Sequence, residues 1–182
     1  MSLTRRSAIG SLTLSGLTLF SARNDDARAA VSASRPSGAK PATSGLVIDR
    51  FKIGPNGETY WLKCRVPMSP WVSPRGTSGI NMTVPIQSNN VQIWDMPAGL
   101  NSPPHPAPEQ QFVVVLSGVL RVTLSHGVSK SFRSGDVFLA TDKGTGDGHR
   151  TETVGGPVRV LLIPIGDDLD VDSWTVSGAA MT

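Results

Sequence analysis

Short apolar runs closed by turn residues are the feature that most restricts what this chain can fold into. Leu46-Val47-Ile48 and Phe51-Lys52-Ile53 run into Gly54-Pro55-Asn56-Gly57, a strong turn signal. Thr59-Tyr60-Trp61-Leu62 continues to Val66 in residues that suit strands. Met82 to Ile86, Val91 to Trp94, Gln111 to Leu116, Val119 to Leu124, Lys130 to Phe132, Val137 to Ala140 and Val158 to Ile165 repeat the pattern. Ser117-Gly118, Ser125-His126-Gly127 and Ser134-Gly135-Asp136 supply turns between them. Residues 67–79 hold Pro67, Pro70, Pro74, Gly76 and Gly79 and read as loop. With 19 glycines and 14 prolines the chain has too many interruptions for long helices. Strands at this spacing indicate an antiparallel sandwich or barrel.

The first thirty residues read as an address rather than as structure. Thr4-Arg5-Arg6-Ser7 precedes a mildly apolar stretch, Ala8 to Phe20, and Ala27-Arg28-Ala29-Ala30 offers the small residues a signal peptidase accepts. The paired arginines resemble a twin-arginine export signal over residues 1–29, which implies a periplasmic or extracellular protein. Residues 30–45, rich in Ser, Ala, Pro and Gly, cannot bury enough surface to order themselves and read as a flexible linker. The folded body is then expected at 46–166, with an acidic C-terminal tail at 167–182 carrying Asp167, Asp168, Asp170 and Asp172.

Charge changes meaning once the address is set apart. The whole chain is +3, from 17 basic and 14 acidic residues. Without residues 1–29 it is +1, from 13 basic and 12 acidic. Nothing in that balance resembles a nucleic-acid-binding face, so no nucleic-acid partner is expected. No apolar run reaches the ~18 residues of a spanning helix, so stable membrane insertion is not expected either. The single Cys64 excludes an intramolecular disulfide and a cysteine-based zinc cluster. Its neighbours Trp61, Leu62 and Val66 suggest a buried structural thiol.

Two blocks of sequence resemble the paired motifs of the cupin superfamily. In the first, Gly99 is followed after five residues by His105, and Gln111 is followed after six by Gly118. Ala107 stands where that motif has a second histidine, and Gln111 where it has a glutamate. In the second, Gly135 precedes a strand and Gly146-Asp147-Gly148-His149 matches the Gly-x-x-His core, with Gly144 and Thr153 replacing the usual Pro and Asn. His105-Pro106-Ala107-Pro108 and the turn Gly54-Pro55-Asn56-Gly57-Glu58 also resemble a subgroup of small cupins. The resemblance spans roughly Val47 to Ile165. It implies an all-β fold, an antiparallel jelly-roll (cupin) barrel, and a homodimer as one arrangement such barrels adopt.

The same resemblance places candidate ligands. His105, Gln111 and His149 form the candidate metal set, with Glu109 as substitute, and strand alternation would put His105, Ala107, Glu109 and Gln111 on one face. Two imidazoles with oxygen ligands would suit one divalent ion, Fe, Mn, Zn or Ni. Gln111 brings a neutral amide, a weaker donor than a carboxylate. The alternative is a metal-free pocket in which His105, Gln111 and His149 bind a polar molecule by hydrogen bonds, with Trp94 at its mouth and Asp147 available to orient His149. His126 reads as an exposed hairpin-turn residue, and Trp61, Trp71 and Phe112 as core. No Gly-x-Ser-x-Gly elbow is present. Two functions stay open: an enzyme acting on a small polar organic molecule, and a binding module for a sugar or organic acid.

Overall fold

The chain folds, in this computed structural model, around two facing β-layers, described for residues 45–73, 76–88 and 90–177. The export signal expected at 1–29 and nearly all of the linker expected at 30–45 lie outside the described residues. Among the described residues eleven strands follow in order: β1 (Leu46–Ile53), β2 (Thr59–Val66), β3 (Ser69–Ser73), β4 (Gly76–Met82), β5 (Gln92–Met96), β6 (Gln111–Ser117), β7 (Val119–Leu124), β8 (Ser129–Arg133), β9 (Val137–Thr141), β10 (His149–Thr153) and β11 (Val158–Pro164). One 3-10 turn, Asp172–Trp174, comes after them. Among the described residues no helix is long and apolar enough to cross a membrane.

The larger layer has the order β2-β1-β9-β6-β11-β5, and the smaller has β10-β7-β8. All pairings are antiparallel except β1 with β9. The all-β, mostly antiparallel expectation is met. The sheets, however, are mixed and do not close into a continuous barrel; β3 and β4 form a separate two-stranded sheet.

Side-chain alternation builds the core between the layers. β7 turns Leu120, Val122 and Leu124 inward and its other positions outward. They meet Phe51, Trp61, Val113, Val115, Phe138, Ala140, Val160 and Leu162 from the larger sheet. Phe51 lies edge-on to Trp61 at 5.1 Å between centroids, a favoured aromatic geometry. A second cluster covers the opposite face of the larger sheet: Ile48, Leu62, Cys64, Phe112, Leu139 and Ile165 pack with Val171 and Trp174.

That second cluster gives the segment beyond residue 166 a structural part. Trp174 stacks on Phe112, Thr175 bridges to Cys64, and the Val176 amide donates to the Lys63 carbonyl at 3.0 Å. Asp172 pairs with Lys52 and with the buried Arg50, each at 2.8 Å. The stretch from Val171 to Val176 therefore closes one sheet face and covers the β2 edge.

Three local expectations change. Residues 67–79 hold the β3–β4 hairpin rather than only loop, and 83–86 form no strand. His149–Thr153 is a strand despite its polar sequence, because it pairs with β7 from His149↔Leu124 to Thr153↔Leu120.

Candidate functional site

The site begins with a glycine. Gly148 has φ +69°, a left-handed conformation that L side chains rarely adopt, and a Cβ there would collide with the His105 carbonyl. Its absence lets the segment 101–105 lie against β10. His105 and His149 exchange both backbone hydrogen bonds at 2.9 Å, and the Ser102 amide donates to the Thr151 carbonyl at 2.9 Å. Two histidines 44 positions apart in sequence thus become direct cross-strand neighbours. Their rings lie 4.6 Å apart at the centroids, inclined by 49°.

Each imidazole is held through Nδ1. His105 Nδ1 is 2.8 Å from the Pro103 carbonyl, which can only accept, so Nδ1 carries the proton. His149 Nδ1 is 2.7 Å from Asp142 Oδ2. The other oxygen of Asp142 accepts the Ala107 amide at 3.1 Å. Phe51 packs against the His149 ring at 4.7 Å. His149 and Asp142 are buried, while His105 is half-exposed.

The remaining sequence candidates fall in three places. Gln111 is buried and shares a row with Ala140 and, through it, Phe51, so it is on the same inner face as His149's ring contact. Trp94 pairs with the fully buried Val160 and so faces inward from the edge strand β5. It is 46 % exposed, and its indole N–H donates to Gln92 Oε1 at 2.8 Å. Glu109 is exposed and lines a different groove with Gln87, Ser88, Asn90 and Asp168. The single-face expectation for residues 105–111 does not hold, because β6 starts only at Gln111 and 106–110 is not strand. Asp142, which the sequence reading passed over, takes the orienting part expected of Asp147. Ala107, in the place of a second histidine, is a buried core residue.

The sequence resemblance carries the expectation of a metal, and the donors present can be judged against one. Both histidines leave Nε2 uncommitted while Nδ1 donates to oxygen, an arrangement that suits a metal-binding imidazole. A catalytic centre usually takes about three protein ligands. Among the described residues no group of three His, Cys, Asp or Glu is placed to hold a metal ion. The set falls one charged or imidazole ligand short.

Elsewhere, His126 is exposed at its hairpin turn and lines a surface groove of about 500 Å³ with Glu58 and Tyr60. Cys64 is buried, and burial pushes its thiol up to about 11, so it lacks the thiolate that nucleophilic chemistry needs.

No protein-family model matches the chain, and no curated protein does. Solved structures do. The chain is similar to a cupin 2 conserved barrel domain protein from Leptotrichia buccalis, at 14 % identity and a TM-score of 0.34, over 69 % of this chain and 43 % of that one. It is similar to a protein with a double-stranded β-helix domain from Klebsiella pneumoniae, at 20 % identity and 0.36, over 62 % and 90 %. A third is a sugar phosphate isomerase of the cupin superfamily from Silicibacter pomeroyi, at 19 % identity and 0.36, over 76 % and 88 %. These proteins bear the cupin or double-stranded β-helix description in their names, and the motif glycines and two histidines of this chain resemble the cupin superfamily in sequence.

Proposed function

We propose that this protein acts on a small polar organic molecule at the His105–His149 pair, by proton transfer and hydrogen bonding at the two Nε2 atoms and without a resident metal. One observation carries the reading: two adjacent imidazoles, each anchored through Nδ1, leave their Nε2 atoms for a ligand. Imidazole suits this task because it exchanges protons near neutral pH. Gln111 offers an amide on the same inner face, and Trp94 an apolar surface at the open edge. The residues 1–29 add export to this proposal, placing the activity outside the cytoplasm.

A divalent ion on His105 and His149, completed by Gln111 or by substrate, is the second reading; the uncommitted Nε2 atoms favour it. One experiment separates the two. Full-length chain, produced without a histidine tag in metal-replete medium, is subjected to elemental analysis, and its spectrum is followed while a monosaccharide, a cyclic polyol and a dicarboxylic acid are titrated in. The first reading expects metal well below one ion per chain and ligand-induced shifts at both histidines. Near-stoichiometric Fe, Mn, Zn or Ni that is lost in His149→Ala overturns it.

A further inference from the structure

Asp142 has no exposed surface, and its two oxygens are divided between two donors. The Ala107 peptide N–H can only donate, so Oδ1 is committed as its acceptor. Oδ2 of a carboxylate also accepts, so the proton between it and His149 belongs to Nδ1. We infer that Asp142 is a positioning residue: whenever the His149 ring carries a single proton, Asp142 holds that proton on Nδ1, so that Nε2 is the acceptor.

The consequence for ligand choice rests on the reading that His149 meets a ligand. His105 reaches the same tautomer by another route, through the Pro103 carbonyl. In that tautomer the two neighbouring rings both present Nε2 as an acceptor. Such a pair matches a molecule carrying hydroxyl donors and offers a carboxylate nothing to accept. The ligand class is a polyhydroxy compound rather than a free organic anion. Asp142 also ties the chain at Ala107 to β10, so the same carboxylate fixes both the tautomer of one ring and the backbone that carries the other.

Asp142→Asn makes the inference testable. An amide side chain has one acceptor oxygen, and the Ala107 N–H retains it. The NH₂ group then faces His149 Nδ1, which must become the acceptor, and the ring proton moves to Nε2. Long-range proton–nitrogen spectra of uniformly labelled full-length chain read the tautomer directly, above pH ~8 where an ordinary imidazole is neutral. His105→Gln and His149→Gln assign the signals. In the native protein His149 should show Nδ1–H, and in Asp142→Asn it should show Nε2–H with signal dispersion retained. A native Nε2–H tautomer overturns the inference, and that readout is made on the native chain rather than on Asp142→Asn. An unchanged tautomer in a folded Asp142→Asn overturns it as well.

Titration with myo-inositol and with succinate is the separate arm. Shifts at His149 with inositol alone support the ligand class, and Asp142→Asn should weaken them about tenfold. Shifts with succinate alone overturn the class. Shifts with neither probe, beside the expected tautomer, leave Asp142's part standing and count against the proposed function.

Discussion

At the scale of single residues, Gly148 and Asp142 do the most to shape the site. Gly148→Ala should destabilise the fold by about 1–3 kcal/mol from its dihedral alone, and displacement of the His105 carbonyl adds to that. Gly144→Ala is the control, since its φ is +114° but nothing lies within 4 Å of the added Cβ. Denaturant midpoints should rank Gly148→Ala clearly below Gly144→Ala; equal losses would remove the packing argument. The histidines themselves were legible in the sequence because motif spacing marks them. Asp142 was not. Nothing local relates it to His149 seven positions on, and the link is made by the loop after β9 folding back. Glu109 misled for the matching reason: alternation predicts a face only where the backbone is a strand, and 106–110 is not.

At the scale of elements, strands were legible where one face is buried. β7 alternates cleanly, and β6 and β11 are apolar because a core cluster lies on each of their faces. β10 escaped notice because its inward positions are His149, Thr151 and Thr153, a polar set that serves the site. β3 and β4 escaped because prolines and glycines crowd their sequence. The acidic composition near the C-terminus concealed Val171 and Trp174. Trp174→Ala should cost about 3–5 kcal/mol as a large-to-small change under a sheet face. It should also speed thiol labelling of Cys64, which should be slow in the native protein because burial raises the thiol to about 11. Labelling no faster in Trp174→Ala than in the native chain would separate the segment from the thiol's protection.

Asp172 makes the same segment sensitive to acid. The Lys52 hydrogen bond lowers its carboxyl most, burial opposes this, and Arg50 adds to the lowering. A carboxyl depressed in the folded state adds stability above its unfolded value, and that addition is lost as pH falls through the folded value. Since Asp172 is well exposed, solvent screening limits the contribution to about 1 kcal/mol or less. Unfolding curves from pH ~2 to ~7 should show Asp172→Asn less stable than the native chain at neutral pH and converging with it in acid. Parallel curves would exclude the ion pair as the cause.

At the scale of the whole molecule, protection is uneven. The terminal segment covers the β2 edge and residues 101–105 lie along β10, whereas β5 leaves Ile93 63 % exposed beside Trp94. The β3–β4 hairpin forms a separate two-stranded sheet. Two strands alone are marginally stable in water, so their amides should exchange first, and those of β6 and β11 last. Hydrogen exchange followed by mass spectrometry checks the order, and a hairpin as protected as β6 would contradict it. The site lies between these extremes, with His149 in the protected layer and Trp94 on the open margin.

The lone parallel pairing also bears on the order in which the chain is made. β1 is among the first parts of the folded body to be synthesised, yet its neighbour β9 starts at Val137. Until those later residues have emerged, β1 and β2 form only a hairpin with one side unpaired, and their far face waits longer still for Trp174. Such distant contacts slow folding and lengthen the time that sheet edges stay open. Synthesis from one end therefore leaves the larger sheet unfinished until β11 is available. The nascent chain must be shielded until β11 and Trp174 have emerged.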